Sequence, residues 1–277
     1  MTAPTQRVAI TGASGLIGRA LTRFHERRGD TCVPVSRSPH ASPRWSLVDG
    51  VAPADAFSGC DVLVHLAGEN VASGRWTAAR KAAIRDSRVL GTQHMVEALR
   101  RASPRPTTFI CASATGFYGD SRAREVDESS PPADDFLGRT SAEWEAAAHE
   151  ARALGIRVVS LRFGVVLSED GGALPKMHPF FKAGLGGTIG DGRQPFPWVH
   201  IDDVVGAYAW ALDADVDGPV NVVAPTPTTN AEFTKSLGRA LRRPTLLPVP
   251  AFALRVAFGE MSTALLTGAR VTPRVLN

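Results

Sequence analysis

The sequence is poor in the residues that would give it an easy classification. Only three cysteines occur in 277 residues, Cys32, Cys60 and Cys111. Their separations match no metal-ligand spacing, which argues against a zinc module. Each lies in or beside an apolar strand pattern, so buried reduced thiols are expected, consistent with a cytoplasmic address. No apolar run is long enough to span a bilayer, and the polar start Met1-Thr2-Ala3-Pro4 has no signal-peptide core. A membrane partner is therefore not expected. Charge of one sign is also scarce: the net charge is +4, with the basic residues scattered. That balance speaks against nucleic acid as a partner. There is no internal repeat and no low-complexity tract.

What remains is an ordinary globular composition, 44% hydrophobic and 21% charged, long enough for one large domain or one and a half. The most informative stretch is Val8-Ala9-Ile10-Thr11-Gly12-Ala13-Ser14-Gly15-Leu16-Ile17-Gly18. An apolar β-branched run stops at three glycines spaced three apart, and a helical pattern follows. Gly12 permits a sharp turn. Gly15 removes a side chain where a backbone must approach a pyrophosphate, and Gly18 lets the helix pack closely on the sheet. Free amides at the helix start, including those of Ser14, Leu16 and Ile17, attract phosphate. A strand before and a helix after point to a dinucleotide-binding βαβ start.

Strands are expected at 7–11, 32–36, 44–48, 61–66, 107–112 and 157–163, and helices at 16–28, 76–101 and 141–153. This alternation predicts an α/β fold with a doubly wound parallel sheet. The core would span 1–164 and be completed by about 202–224. Residues 165–201, rich in Gly and Pro, and 225–277 would form a smaller substrate-side subdomain. Within the latter, 229–242 and 250–267 read as helical.

Beyond the second strand stand Ser36 and Arg37, where an NAD site would usually carry Asp or Glu for the ribose hydroxyls. A hydroxyl followed by a guanidinium suits a 2′-phosphate, so NADP(H) is the expected cofactor. His65 reads as a core or strand-end histidine and Trp144 as a core residue. Arg193 is either a contact for an anionic substrate or part of a hairpin. Asp202 is expected to cap a helix.

The turn Leu66-Ala67-Gly68-Glu69-Asn70, the run Ser113-Ala114-Thr115-Gly116-Phe117-Tyr118-Gly119, and the segments Gly74-Arg75-Trp76, Leu161-Arg162-Phe163-Gly164-Val165-Val166-Leu167 and Trp198-Val199-His200-Ile201-Asp202-Asp203-Val204 share one resemblance. Together with the glycine turn they resemble the extended short-chain dehydrogenase/reductases, and within them the atypical nucleoside-diphosphate-sugar epimerase family proteins of YfcH type. The resemblance implies a Rossmann sheet of the extended type and NADP(H) as cofactor. It places Leu66, Ala67, Gly68 and Glu69 against the cofactor's ribose and pyrophosphate, with Arg162 also on the cofactor side. It makes Ser113 the serine that hydrogen-bonds the reacting oxygen, with Thr115 or Tyr118 assisting, and Tyr118 also a wall of the cofactor site. A small-molecule substrate and a monomer or homodimer follow by the same analogy. Similar proteins continue further than Asn277.

One expected pair is missing. The third helix of such enzymes carries Tyr-x-x-x-Lys, the tyrosine acting as general acid or base. Here Phe136-Leu137-Gly138-Arg139-Thr140-Ser141 holds neither residue, with Phe136 and Thr140 at the matching spacing. An oxidoreductase or epimerase would need another proton source. The alternative is a protein that binds NADP(H) without catalysis, as a sensor or interaction partner.

Overall fold

The computed structural model describes residues 5–36, 45 and 50–277. Arg37, and the strand expected at 44–48 apart from Trp45, lie outside the described residues. The chain opens with β1 (Arg7–Thr11), α1 (Leu16–Arg28) and β2 (Thr31–Val35). It continues through β3 (Val62–His65), α2 (Ala78–Arg101) and β4 (Thr108–Ala114). A short β5 (Glu125–Val126) precedes α3 (Phe136–His149) and β6 (Arg157–Phe163).

The strands at 7–11, 31–35, 62–65, 108–114, 157–163 and a later one, β10 (Gly218–Val222), form one parallel sheet in the order β10-β6-β4-β3-β1-β2. The order reverses at β1, so the carboxyl ends of β1 and β3 flank the crevice where α/β sheets take ligands. Helices α2 and α3 pack against each other on one face of the sheet. On the opposite face α1 packs against α5 (Ile201–Asp213). Covered on both sides, β3 is buried at every position, and so carries no polar alternation.

After β6 the chain forms β7 (Val165–Ser168), β8 (Gly171–Gly172), α4 (Leu174–Lys182) and β9 (Trp198–His200). The strands β8-β7-β9 make a separate small sheet. Following α5 come β10 (Gly218–Val222), α6 (Asn230–Leu241), α7 (Ala251–Phe258), α8 (Thr263–Leu266) and β11 (Arg270–Val271). The last strand pairs with β5.

Two boundaries differ from the sequence reading for local reasons. Helix α3 starts at Phe136 because the Asp135 carboxylate accepts from Gly138 N at 2.7 Å and caps it. The single helix expected over 250–267 is divided, because α7 stops at Gly259, where φ is +59°. The cap of α5 is also reassigned. His200 Nδ1 accepts from Asp202 N at 3.2 Å, and Asp202 lies inside the first turn.

Candidate functional site

The glycine turn is built by steric necessity. Gly12 has φ +71°, and a Cβ there would lie 2.9 Å from both Ala67 N and Leu66 C. The turns after β1 and β3 thus touch through their backbones. At Gly18 a Cβ would stand 2.2 Å from Gly12 O, which lets α1 begin directly against the turn. Gly15 is the residue before α1 and has no side-chain cap, so its end of the helix keeps amides for a ligand.

A groove of about 330 Å³ lies over this arrangement. Gly12, Gly15, Leu16, Ile17 and Gly18 line it, together with Leu66 and Ala112. Its other wall is Val165, Val166, Gly172 and Ala173. The hairpin β7–β8 reaches this position because it is tied to α1. Arg19 donates to Ser14 O at 2.7 Å and to Asp170 O at 3.2 Å, and Arg23 pairs with the Asp170 carboxylate at 3.2 Å. Ser36 follows the end of β2, on the same side of the sheet.

The Ala67–Glu69 turn is backed by positive charge. Arg88 donates to Glu69 O at 3.1 Å, and Gly68 leaves only 3.3 Å between an added Cβ and the Arg88 guanidinium carbon. Burial pushes the Arg88 pKa down to about 10, which leaves it protonated at neutral pH. Glu69 pairs with Arg80 at 2.9 Å. An anion approaching this turn meets a cation held in a partly desolvated place, where its field is screened less than in water.

A chain of hydrogen bonds beneath these turns fixes the state of His65. Thr92 donates its only hydroxyl proton to Arg88 O at 2.6 Å. It must therefore accept at 3.1 Å from His65 Nε2. His65 is then the neutral Nε2–H tautomer, and its Nδ1 accepts from Thr11 Oγ1 at 2.7 Å. Thr11 Oγ1 accepts in turn from Ala67 N at 3.4 Å. The neutral ring thus connects the turns after β1 and β3 to α2.

Burial drives the His65 pKa down to about 3, with the Arg88 charge adding to the effect. The unfolded chain gains this proton near 6.5, whereas the native state does so only near 3. The stability contribution is complete above 6.5 and is lost as pH falls through that window. We expect unfolding free energy to drop by up to ~1.4 kcal/mol per pH unit from this residue. Urea melts at pH 7 and pH 5 measure it. A His65→Gln variant should have a shallower slope, and an equal slope would remove His65 as its source.

At the carboxyl end of β4 the candidate hydroxyls go different ways. Ser113 is buried and donates to Glu145 Oε1 at 2.6 Å. Glu145, on α3, is held by two bonds from Arg162, Nε to Oε1 at 2.8 Å and Nη2 to Oε2 at 2.7 Å. Arg162 lies opposite Ser113 in the β4–β6 register. Its Nη1 donates at 2.7 Å to the Tyr118 hydroxyl, which donates to Asn221 Oδ1 at 2.7 Å. Burial pushes the Tyr118 pKa up to about 12 against the opposing Arg162 charge, so the phenol stays protonated. Asn221 Nδ2 reaches Thr272 O at 3.0 Å, near the last residues. The fold thus brings Ser113, Tyr118 and Arg162 into one saturated network away from the groove lining. Thr115 differs. It starts the 3-10 turn Thr115–Tyr118, and its hydroxyl has no side-chain hydrogen bond among the described residues.

Several residues of this site carry no signal in the sequence reading. Asp170, which ties the β7–β8 hairpin to α1, and Ala173, in the groove wall, are placed there only by tertiary packing. Glu145 has a faint one: it shares a helix face with Ser141 and Ala148, both buried. Among the described residues no group of three or more His, Cys, Asp or Glu could hold a metal. Nor is any described helix long and apolar enough to cross a membrane.

Comparison with known proteins accords with this geometry. The family model described as "NAD dependent epimerase/dehydratase family" matches residues 8–224. The chain belongs to that family. A second model, a domain of unknown function numbered 1731, matches this epimerase-family chain over residues 249–277. The Epimerase family protein Mb2239 of Mycobacterium bovis is 41% identical over 274 residues, covering 97% of this chain and 90% of the relative. The Epimerase family protein YfhF of Bacillus subtilis is 38% identical over 275 residues, covering 96% and 90%. The crystal structure of the human epimerase family protein SDR39U1 with NADPH superposes with a TM-score of 0.86 at 37% identity, covering 97% of this chain and 91% of that one.

Proposed function

We propose that this epimerase-family protein is an NADP(H)-dependent oxidoreductase or epimerase of the atypical, YfcH-like branch. Its substrate class is a small carbonyl or hydroxyl compound, sugar-nucleotide-like compounds included. The observation that carries the reading is the groove over Gly12, Gly15 and Gly18, with Arg88 behind its second turn. Ser36-Arg37 in the sequence and NADPH in the human relative favour the phosphorylated cofactor. Gly15, Leu16 and Ile17 would hold the pyrophosphate, and Leu66 to Glu69 a ribose. The bound nicotinamide would supply or accept hydride.

Among the hydroxyls at the β4 end, Thr115 is the one we assign to the substrate oxygen. A serine that donates its single proton to a buried carboxylate has none left for a carbonyl. Ser113 therefore holds Glu145 in this reading, and Thr115 polarises the substrate. With no tyrosine–lysine pair on α3, the proton comes from water ordered at Thr115. We expect Thr115→Val to leave the NADPH Kd within about twofold and to lower turnover roughly hundredfold. NADPH oxidation against aldehydes, ketones and nucleotide sugars provides the assay. Undiminished turnover in Thr115→Val removes Thr115 from the mechanism.

A second reading is a cofactor sensor without turnover. Both the missing pair and the committed Ser113 hydroxyl favour it. Tight NADPH binding with no oxidation across that panel selects the sensor. No affinity for either pyridine nucleotide defeats both readings.

A further inference from the structure

Outside the groove, one surface of the molecule breaks the usual rule for exposed side chains. Phe180, Leu185, Leu246, Leu247, Phe252 and Val256 are each 57–84% exposed. They are neighbours in space. Leu185 N bonds to Phe180 O at 2.9 Å, and a Cβ on Gly187 would fall 1.6 Å from Leu247 O. Two residues on, Val249 N bonds to Thr188 O at 2.8 Å, and Pro250 leads straight into α7. That helix reads Ala251-Phe252-Ala253-Leu254-Arg255-Val256-Ala257-Phe258 and has no buried residue. Large apolar side chains gathered in this way mark an interaction site.

The charges within the segments that carry this surface have one sign. Residues 171–190 and 233–259 contain no Asp or Glu, in a protein with 27 of them. They contain seven basic residues: Lys176, Lys182, Lys235, Arg239, Arg242, Arg243 and Arg255. None of the seven takes part in a salt bridge among the described residues. The acids bounding these segments are occupied. Glu232 closes the cap of α6, Glu260 pairs with Lys81, and Asp191 accepts from Arg193 N.

We propose that this face docks on the anionic surface of a lipid bilayer. Exposed apolar side chains on segments whose cations enter no salt bridge among the described residues are what an interfacial segment presents to acidic headgroups. A second copy of the chain fits poorly, because a symmetric contact would set cations against cations. A bilayer accepts protruding side chains without a matching shape, which suits prongs from a proline-bounded loop and a short helix. The contact lies on the surface and needs no spanning segment. It would add a membrane partner that composition did not lead one to expect.

The test is flotation of the full chain with vesicles of phosphatidylcholine alone and of phosphatidylcholine mixed with phosphatidylglycerol. Binding is expected only to the mixed vesicles, and weaker at high salt. Leu246→Ser/Leu247→Ser should reduce it about a hundredfold, near tenfold per side chain. Arg242→Glu/Arg243→Glu should reduce it by at least tenfold. Both double variants should keep the native NADPH Kd and melting temperature, so a failure here is separable from a failure of the cofactor reading. Three results overturn the proposal. One is absence of binding to mixed vesicles, with or without binding to polyglutamate as a mimic of an acidic protein. Another is equal vesicle binding by the variants. The third is a dimer in sedimentation that Leu246→Ser/Leu247→Ser dissociates.

Discussion

Gly18→Ala should weaken NADPH binding about a hundredfold, a loss of ~2.7 kcal/mol. The new methyl would stand 2.2 Å from Gly12 O, 2.7 Å from Ala13 Cα and 2.8 Å from Ala13 C. All three are backbone atoms, so no side chain can rotate away. Relief requires α1 to separate from the turn that starts it. That movement turns the amides at the helix start away from a phosphate, and overpacking adds about 1–3 kcal/mol of instability. Gly29→Ala is the control. Gly29 ends the same helix at φ +80°, and an added Cβ meets nothing within 4 Å. It should cost about 1 kcal/mol of stability through backbone strain and leave the Kd alone. Fluorescence titration with NADPH and thermal melts of both variants separate the two effects. An unchanged Kd in Gly18→Ala would show that the helix start does not hold the cofactor.

Removing the Glu145 carboxylate is expected to be strongly destabilising. Glu145→Ala leaves Arg162 charged, with no partner for Nε or Nη2, in a site where the two side chains are only 6% and 4% exposed. A buried charge stripped of its counter-ion typically costs about 3–5 kcal/mol. The Phe117 ring, 3.6 Å beneath the guanidinium, recovers little of that. Ser113 loses its acceptor at the same time. The Arg162→Met/Glu145→Leu double variant should recover much of the loss, because it leaves neither charge uncompensated. Urea denaturation of the three proteins gives the comparison. A cost below about 1 kcal/mol for Glu145→Ala would mean that the pair is solvated in practice.

Much of the candidate site could be read in the sequence because its physics is local. The glycine turn needs three small residues at fixed separations between a strand and a helix, and each constraint falls within eleven consecutive positions. The run from Ser113 to Gly119 and the turn at Gly68 are also short and contiguous. What escaped was the direction of side chains on a strand. Ala112 and Ser113 are adjacent, yet Ala112 lines the groove while Ser113 points at α3, because successive strand residues face opposite sides of the sheet. Choosing the face requires knowing which side α3 covers. Asp170 and Arg19 are 151 positions apart, and no pattern in the chain announces that they meet.

The sequence by itself determined the alternation of strands and helices, the parallel sheet and the glycine turn that starts α1. Each follows from periodicity and from backbone freedom at a few glycines, which a residue carries with it wherever it is placed. The tertiary structure alone decided the tautomer of His65, the commitment of Ser113 to Glu145 and the gathering of exposed leucines and phenylalanines on one face. Those properties depend on which donor faces which acceptor and on how much water remains between them. Both are set by packing between elements far apart in the chain, and neither is a property of any one segment.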